Sequence, residues 1–372
     1  MKISELKKLY KKHGARRTTR LLESALAPKE GEHRLRAEDF SVKELWEGLV
    51  GPVSETLGDG GSGFMMLRED AVDTMAFSDI IGVLISSKVI EGYNTPGYIG
   101  DQLVTRVPSK RKEERYAGFT EMGGPREVAE AMPYEETGFH DKYAVSEATK
   151  KGRLLNITEE AILFDQTGQL LMRAAGLGEK AKLDKETVIL QGLIDFTGVV
   201  YSPQGVAEPL YRLAATATSP TINQLAGNAL IDWTDIDNIM QVFAAMTDSR
   251  GNPIVVVPKV LVTPYSLAAV ANRILRATQI RTIAGATETI SGNPITGLSP
   301  LSSPLLDNAS VTNYYLGDPA KQFVWQEIWP LQVARKRLEA DAHVRDIVVS
   351  YKVRYFGGIA AIDDKYVIRS TP

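Results

Sequence analysis

The sequence predicts an α+β fold with a projecting arm, and three observations predict it. Residues 168–193 place Leu170, Leu171, Ala174, Leu177, Ala181, Val188, Ile189 and Leu193 close to helical spacing. Residues 346–356, DIVVSYKVRYF, alternate as a strand, with Ile347, Val349, Tyr351, Val353 and Tyr355 on one face. Residues 104–148 are polar and hold two extended runs, 111–122 and 138–146, separated by Gly123, Gly124, Pro125 and Pro133. A two-stranded ribbon is marginal in water by itself. This one has few large apolar side chains to offset the entropy of ordering it. It reads as an arm that reaches for a neighbouring copy.

The bulk numbers set the frame. A chain of 372 residues is long enough for two domains and a substantial core. A net charge of −3 gives the whole chain no nucleic-acid-binding signature. Cysteine is absent, which removes disulfides, thiolate metal sites and thiol nucleophiles together. No run approaches the roughly 18 apolar residues of a membrane helix; the longest candidate, residues 80–90, contains Lys88. The N-terminus lacks the apolar stretch of a secretory signal. It is nevertheless strongly basic: Lys2, Lys7, Lys8, Lys11, Lys12, Arg16, Arg17 and Arg20 stand against Glu5 alone in the first 20 residues. Ile3, Leu6 and Tyr10 fall at helical spacing, so the segment reads as a short amphipathic basic helix. It is either a solvated terminus or a contact for polyanion.

The elements follow in order. Residues 1–38 are expected to be an extended or partly helical arm. Residues 40–50 read as a short helix, with Ser41 and Glu44 at capping-box spacing. Residues 54–63 read as a flexible joint and 69–91 as a helix. After the arm come a short strand over 153–157, a short helix over 158–164 and the long helix over 168–193, which Gly176 and Gly178 weaken locally. Residues 235–246 read as a helix capped by Thr234, and 253–262, PIVVVPKVLV, as a buried strand bent at Pro258. A proline-opened helix over 264–277 is expected next, then a long loop with at most short strands over 281–310. Strands over 322–329, 346–356 and 366–368 close the chain, with Gly357 and Gly358 read as a turn.

No residue is nominated as catalytic, cofactor-binding or metal-binding. His13, His33, His140 and His343 show no metal spacing. Gly58, Gly60 and Gly63 match GxGxxG without the preceding strand the motif needs. The nucleophile-elbow and phosphate-loop patterns are absent. The acid pairs Glu113/Glu114, Glu135/Glu136, Glu159/Glu160 and Asp363/Asp364 read as solvated faces. Asp232, Asp235 and Asp237 read as helix capping, and Trp325 and Trp329 as core packing.

With the order of elements in hand, residues 142–194 and the tail 313–363 resemble the major capsid proteins of tailed bacteriophages. These have the Hong Kong ninety-seven phage fold, and the tail is similar to Mu-like head subunits. The resemblance implies an N-terminal arm over 1–70 and a peripheral domain with a long spine helix over 71–103, 149–198 and 325–372. It also implies an extended loop over 104–148 and an axial domain over 199–324. It implies self-assembly through hexamers and pentamers into an icosahedral shell around double-stranded DNA, in a virion capsid assembled in the host cytoplasm. Further candidate partners are portal, scaffolding and decoration proteins; a membrane is not among them. Lys110, Arg111, Lys112, Glu113, Arg115, Glu135 and Glu136 are then candidate subunit contacts. Lys7, Lys8, Lys11, Lys12, Arg16 and Arg17 are candidate interior contacts for polyanion. The founding member joins a loop lysine to a peripheral asparagine. Lys110, Lys112 and Lys142 could offer the amine here, but residues 331–372 contain no asparagine. The alternatives are an encapsulin-type compartment shell and a soluble α/β hydrolytic enzyme.

Overall fold

The computed structural model describes residues 3–26, 41–50, 70–117, 128, 130, 143–164, 169–198, 200–203, 205–215, 221–247, 253–284, 287–336 and 347–372. The chain divides into two compact units. One comprises Met1–Pro96, Lys150–Asp184 and Trp329–Tyr355; the other comprises Gly97–Thr149, Lys185–Ile328 and Phe356–Pro372. The joint expected over 54–63, together with Glu135, Glu136, His33, His140 and His343, lies outside the described residues.

In the first unit the basic segment forms two helices, Ile3–His13 and Ala15–Leu26. Their apolar spacing buries one face: Tyr10, Leu22 and Leu26 are covered, and the Tyr10 hydroxyl donates to Asp79 Oδ2 at 2.9 Å. Leu22 and Leu26 join Leu45, Trp46, Phe77 and Ile80 in one core. Within it Trp46 and Phe77 meet edge to face at 4.8 Å. The helix Val42–Leu49 starts after an extended Ser41, but the Ser41 side chain makes no capping hydrogen bond, so the expected capping box is not formed.

The helices Asp70–Tyr93 and Gln169–Leu193 meet at glycines. A Cβ on Gly92 would lie 2.0 Å from the Ala175 carbonyl oxygen, and one on Gly178 2.0 Å from that of Val89. Gly178, which helix propensity disfavours, is where one backbone passes the other. Nothing lies within 4 Å of a Cβ on Gly176. Within this unit the strand Thr149–Thr158 lies next to the strand beginning at Ile347, which lies next to the end of the strand Phe323–Lys336. Tyr351 and Val353 turn inward to the core while Lys352 stays exposed, as alternation requires. Thr158 caps the short helix Glu159–Leu163 by accepting from Ala161 N at 3.2 Å.

The second unit is built on a five-stranded sheet. Its order is Gln224–Ala226, Val367–Thr371, Tyr314–Gly317, Val260–Pro264, Ser299–Ser303. The outer pairings are parallel and the two inner ones antiparallel. Ile236, Ile239 and Phe243 of the helix Trp233–Ala244, and Ala271 and Ile274 of Ala268–Arg276, pack on Leu261, Tyr314, Leu316 and Ile368.

Several expectations are corrected here. The cap of the Trp233–Ala244 helix is Asp232, not Thr234, in a reciprocal capping box with Asp235. The apolar run 253–262 is a strand only from Val260; Val255 and Val257 are 85% and 65% exposed. The loop over 281–310 holds the hairpin Gln279–Ala284 with Thr287–Gly292 and the edge strand Ser299–Ser303. Gly357 and Gly358 make no turn: they lie inside the strand Ile347–Ala361. A Cβ on Gly357 would meet Trp325 Cζ2 at 2.7 Å, and one on Gly358 the Glu147 carbonyl oxygen at 2.4 Å, so glycine is required for close approach. Asp363 and Asp364 are buried, not solvated, and Asp364 Oδ2 accepts from Arg212 Nη1 at 2.7 Å.

Candidate assembly surfaces

The polar stretch begins from a well-tied base. The short helix Gly100–Leu103 is followed by the strand Thr105–Pro108, which runs parallel to the first residues of Phe323–Lys336, Thr105 opposite Val324 and Pro108 opposite Glu327. The helix start is held by Glu186, only 2% exposed, whose carboxylate accepts from Ile99 N and Gly100 N at 2.7–2.9 Å. Helix N-terminal amides buried away from water need such a partner, and a carboxylate suits the positive end of the helix. Next to it the buried Lys185 binds Asp101 at 2.7 Å and stands 5.0 Å from the Trp325 ring centre, while Arg106 takes the other Asp101 oxygen at 2.8 Å. Sequence reading passed over Glu186, Lys185 and Asp101, because nothing local marks a charged residue that will be buried.

From Ser109 the chain enters a two-stranded ribbon, Glu113–Ala117 antiparallel to Tyr143–Glu147. Its base packs Tyr116 and Val107 on Ala144, Val324 and Ile362. Burial, and then the nearby Glu114 carboxylate, push the Tyr116 hydroxyl up to about 12, so it stays protonated. Gln326, fully buried, is the clamp. Its amide nitrogen donates to the Arg111 carbonyl at 2.7 Å and to Ser109 Oγ at 3.2 Å, and its amide oxygen accepts from Ser146 Oγ at 2.8 Å. One side chain thus joins the segment leading into the first ribbon strand, and the second ribbon strand itself, to the strand beneath.

The candidate contact residues decorate this ribbon. Glu113 stands directly opposite Glu147, a like-charge pairing that opposes strand association. Lys112 offsets it: Nζ binds Glu147 Oε1 at 2.6 Å with both side chains largely exposed. The hydrogen bond and charge of Lys112 hold the Glu147 carboxyl below its usual value, and Glu147 in turn raises the Lys112 ammonium. The Arg115 guanidinium sits 4.7 Å from the Tyr143 ring centre. Lys110 and Arg111 are exposed. The structure therefore brings Lys110, Arg111, Lys112, Glu113 and Arg115 to the base of one ribbon and uses Lys112 and Arg115 within the chain. Of the candidate interior cations, Lys8, Lys11, Lys12 and Arg17 are exposed on the first two helices. Lys7 and Arg16 belong to the same helices, and their side chains lie outside the described residues. Among the described residues no group of three or more His, Cys, Asp or Glu is placed to hold a metal, and no helix is long and apolar enough to cross a membrane.

Comparison with known proteins yields a sequence-family match to phage capsid proteins over residues 142–370, more than half of the chain. No curated protein matches the chain significantly. Similar solved structures include that of Mycobacterium phage Adephagia, with 13% identity, 74% of this chain and 90% of that chain covered, and a TM-score of 0.47. The capsid of a cyanophage shows 12% identity, 74% and 88% coverage and a TM-score of 0.45. The encapsulin of Synechococcus elongatus shows 13% identity, 73% and 85% coverage and a TM-score of 0.40. Membership is decided by the family match, which takes in the second ribbon strand, the long helix, the five-stranded sheet and the closing strands: the chain belongs to the phage capsid protein family.

Proposed function

We propose that this chain is the major head subunit of a tailed bacteriophage or prophage, which assembles through hexamers and pentamers into an icosahedral shell around double-stranded DNA. The observation that carries the reading, beside family membership, is the ribbon. Its base is clamped by a fully buried glutamine while its sides present Lys110, Arg111, Glu113 and Arg115 to solvent. A ribbon built to be held rigidly at one end and charged along its sides suits a lever laid over an adjacent subunit. Lys110, Arg111, Glu113 and, outside the described residues, Glu135 and Glu136 set its register there. Exposed ion pairs contribute only about 0–1 kcal/mol each, so total stability comes from repetition: many moderate contacts per subunit act together. The exposed cations Lys8, Lys11, Lys12 and Arg17 are the contact for packaged DNA, bound through its phosphates without sequence preference.

The test replaces residues 118–142 by a two-residue turn, which keeps the paired base from Glu113–Ala117 to Tyr143–Glu147. The subunit is expected to remain folded by circular dichroism and to form no closed shells by electron microscopy. Closed particles of normal size would refute the lever.

A further inference from the structure

We propose that the groove between the edge strand Gln224–Ala226 and the helix Trp233–Ala244 receives the extended segment 254–257 of a second copy of this chain, which adds to the sheet as a further strand; this deepens the shell-forming reading given above and rests on it.

The groove has a volume of about 610 Å³. Gln224–Ala226 forms one edge of the five-stranded sheet, paired to Val367–Thr371; beyond the sheet Gln224 N donates to the Arg212 carbonyl at 3.1 Å, while among the described residues Leu225 and Ala226 make no backbone hydrogen bond outside the sheet. Beyond that edge the walls are Ile222, Leu225, Val242 and Met246, with Thr221 and Asn228 between them. The hydroxyl of Thr221 is buried and has no hydrogen-bond partner among the described residues, a state the interior normally avoids. None of the described lining residues is charged, in a chain whose residues are 24% charged. An uncharged groove next to a strand edge left open at Leu225 and Ala226 selects an uncharged extended peptide, since backbone groups supply the binding and small pockets the choice of side chain.

The same unit carries such a peptide. Ile254, Val255, Val256 and Val257 are uncharged and β-branched, and exposure alternates along them as in a strand. Val255 and Val257 stand out at 85% and 65% exposed. Among the described residues nothing hydrogen-bonds the backbone of Val255, Val256, Val257 or Pro258. Valines on an unpaired extended segment are an exposed apolar liability unless they are covered. The segment is not among the residues that line its own groove, although it starts beside it, where Ile254 N donates to the Met246 carbonyl at 3.0 Å. A second copy supplies the groove, and the uncharged surfaces match.

The absence of cysteine makes the contact directly testable. In the double variant Ala226→Cys/Val257→Cys, assembled particles are oxidised and run on a non-reducing gel, with each single variant alongside. Covalent multimers are expected from the double variant alone. Particles that assemble yet remain monomeric on the gel overturn the strand addition while leaving the shell function intact. A second variant, Val255→Asp/Val257→Asp, changes only exposed side chains. It is expected to melt at the wild-type temperature and to yield at least tenfold fewer closed shells; normal shell yield overturns the proposal. If the unaltered chain forms no shells under any condition, the broader reading fails instead, and this outcome is distinct from both others.

Discussion

Gln326 shows what a single amide can organise. It offers two donors and an acceptor, and spends them on Ser109, Arg111 and Ser146, so that the approach to the first ribbon strand and the second strand itself are tied to the strand below. Leucine at this position fills the space and leaves the buried Ser146 hydroxyl without its acceptor. Such an orphaned group costs about 1–3 kcal/mol. Gln326→Leu is therefore expected to lower stability by that amount in denaturant unfolding and to speed hydrogen exchange at Ala148, whose N–H donates to the Lys112 carbonyl across the ribbon base at 2.9 Å; unchanged exchange there would mean the clamp is redundant. The neighbouring ion pair behaves differently because it is exposed. Glu147 is depressed and Lys112 raised, each by the other. The attraction is accordingly lost as pH falls through the lowered Glu147 value, and again as pH rises through the raised Lys112 value, and is present between them. In Lys112→Gln the Glu147 carboxyl is expected to titrate at higher pH by NMR, with the fold's melting temperature nearly unchanged. A Glu147 titration that does not move would show that the pair is not populated in solution.

At the scale of elements, the crossing of Asp70–Tyr93 with Gln169–Leu193 explains why a long helix tolerates glycine. Gly92 and Gly178 remove the side chains that would otherwise separate the two backbones. Alanine at Gly178 raises intrinsic helix propensity, yet its methyl group would overlap the Val89 carbonyl. Overpacking costs about 1–3 kcal/mol in typical cores. Gly178→Ala is expected to destabilise the first unit by that order, read by thermal unfolding. Gly176→Ala, with open space around its Cβ, is expected to be neutral or slightly stabilising. Equal effects of the two substitutions would show that propensity, not the crossing, governs this helix. The same reasoning applies to Gly357 and Gly358, where the strand Ile347–Ala361 passes close to Trp325 and to the backbone of Glu147.

For the whole molecule, the charge distribution matters more than its sum. A net charge of −3 conceals two short helices whose exposed faces carry Lys8, Lys11, Lys12 and Arg17. Replacing Lys8, Lys11 and Lys12 with glutamine is expected to leave the fold intact, because these side chains are exposed, and to lower the nucleic-acid content of assembled particles, read as the ratio of absorbance at the nucleic-acid and protein maxima. Neutralised phosphates also determine salt sensitivity, so DNA binding by the variant should fall less steeply with added salt. Particles with unchanged nucleic-acid content would assign these helices a purely structural part, which their buried Tyr10, Leu22 and Leu26 already give them.

Local pattern was enough to place the helices Asp70–Tyr93 and Gln169–Leu193, the alternating strand from Ile347 and the two ribbon strands, because periods of 3.6 and 2 are properties of contiguous residues. It also identified the charged residues at the ribbon base. Which charges would be buried was not legible: Asp364 finds Arg212, and Lys185 finds Asp101, across long stretches of chain. Nor was the exposure of Val255 and Val257 legible, since an apolar run looks the same whether a sheet takes it in or leaves it out. The chain by itself determined where its backbone would coil or extend. Only the tertiary structure decided which of those surfaces would meet, because burial depends on residues brought together from distant parts of the sequence.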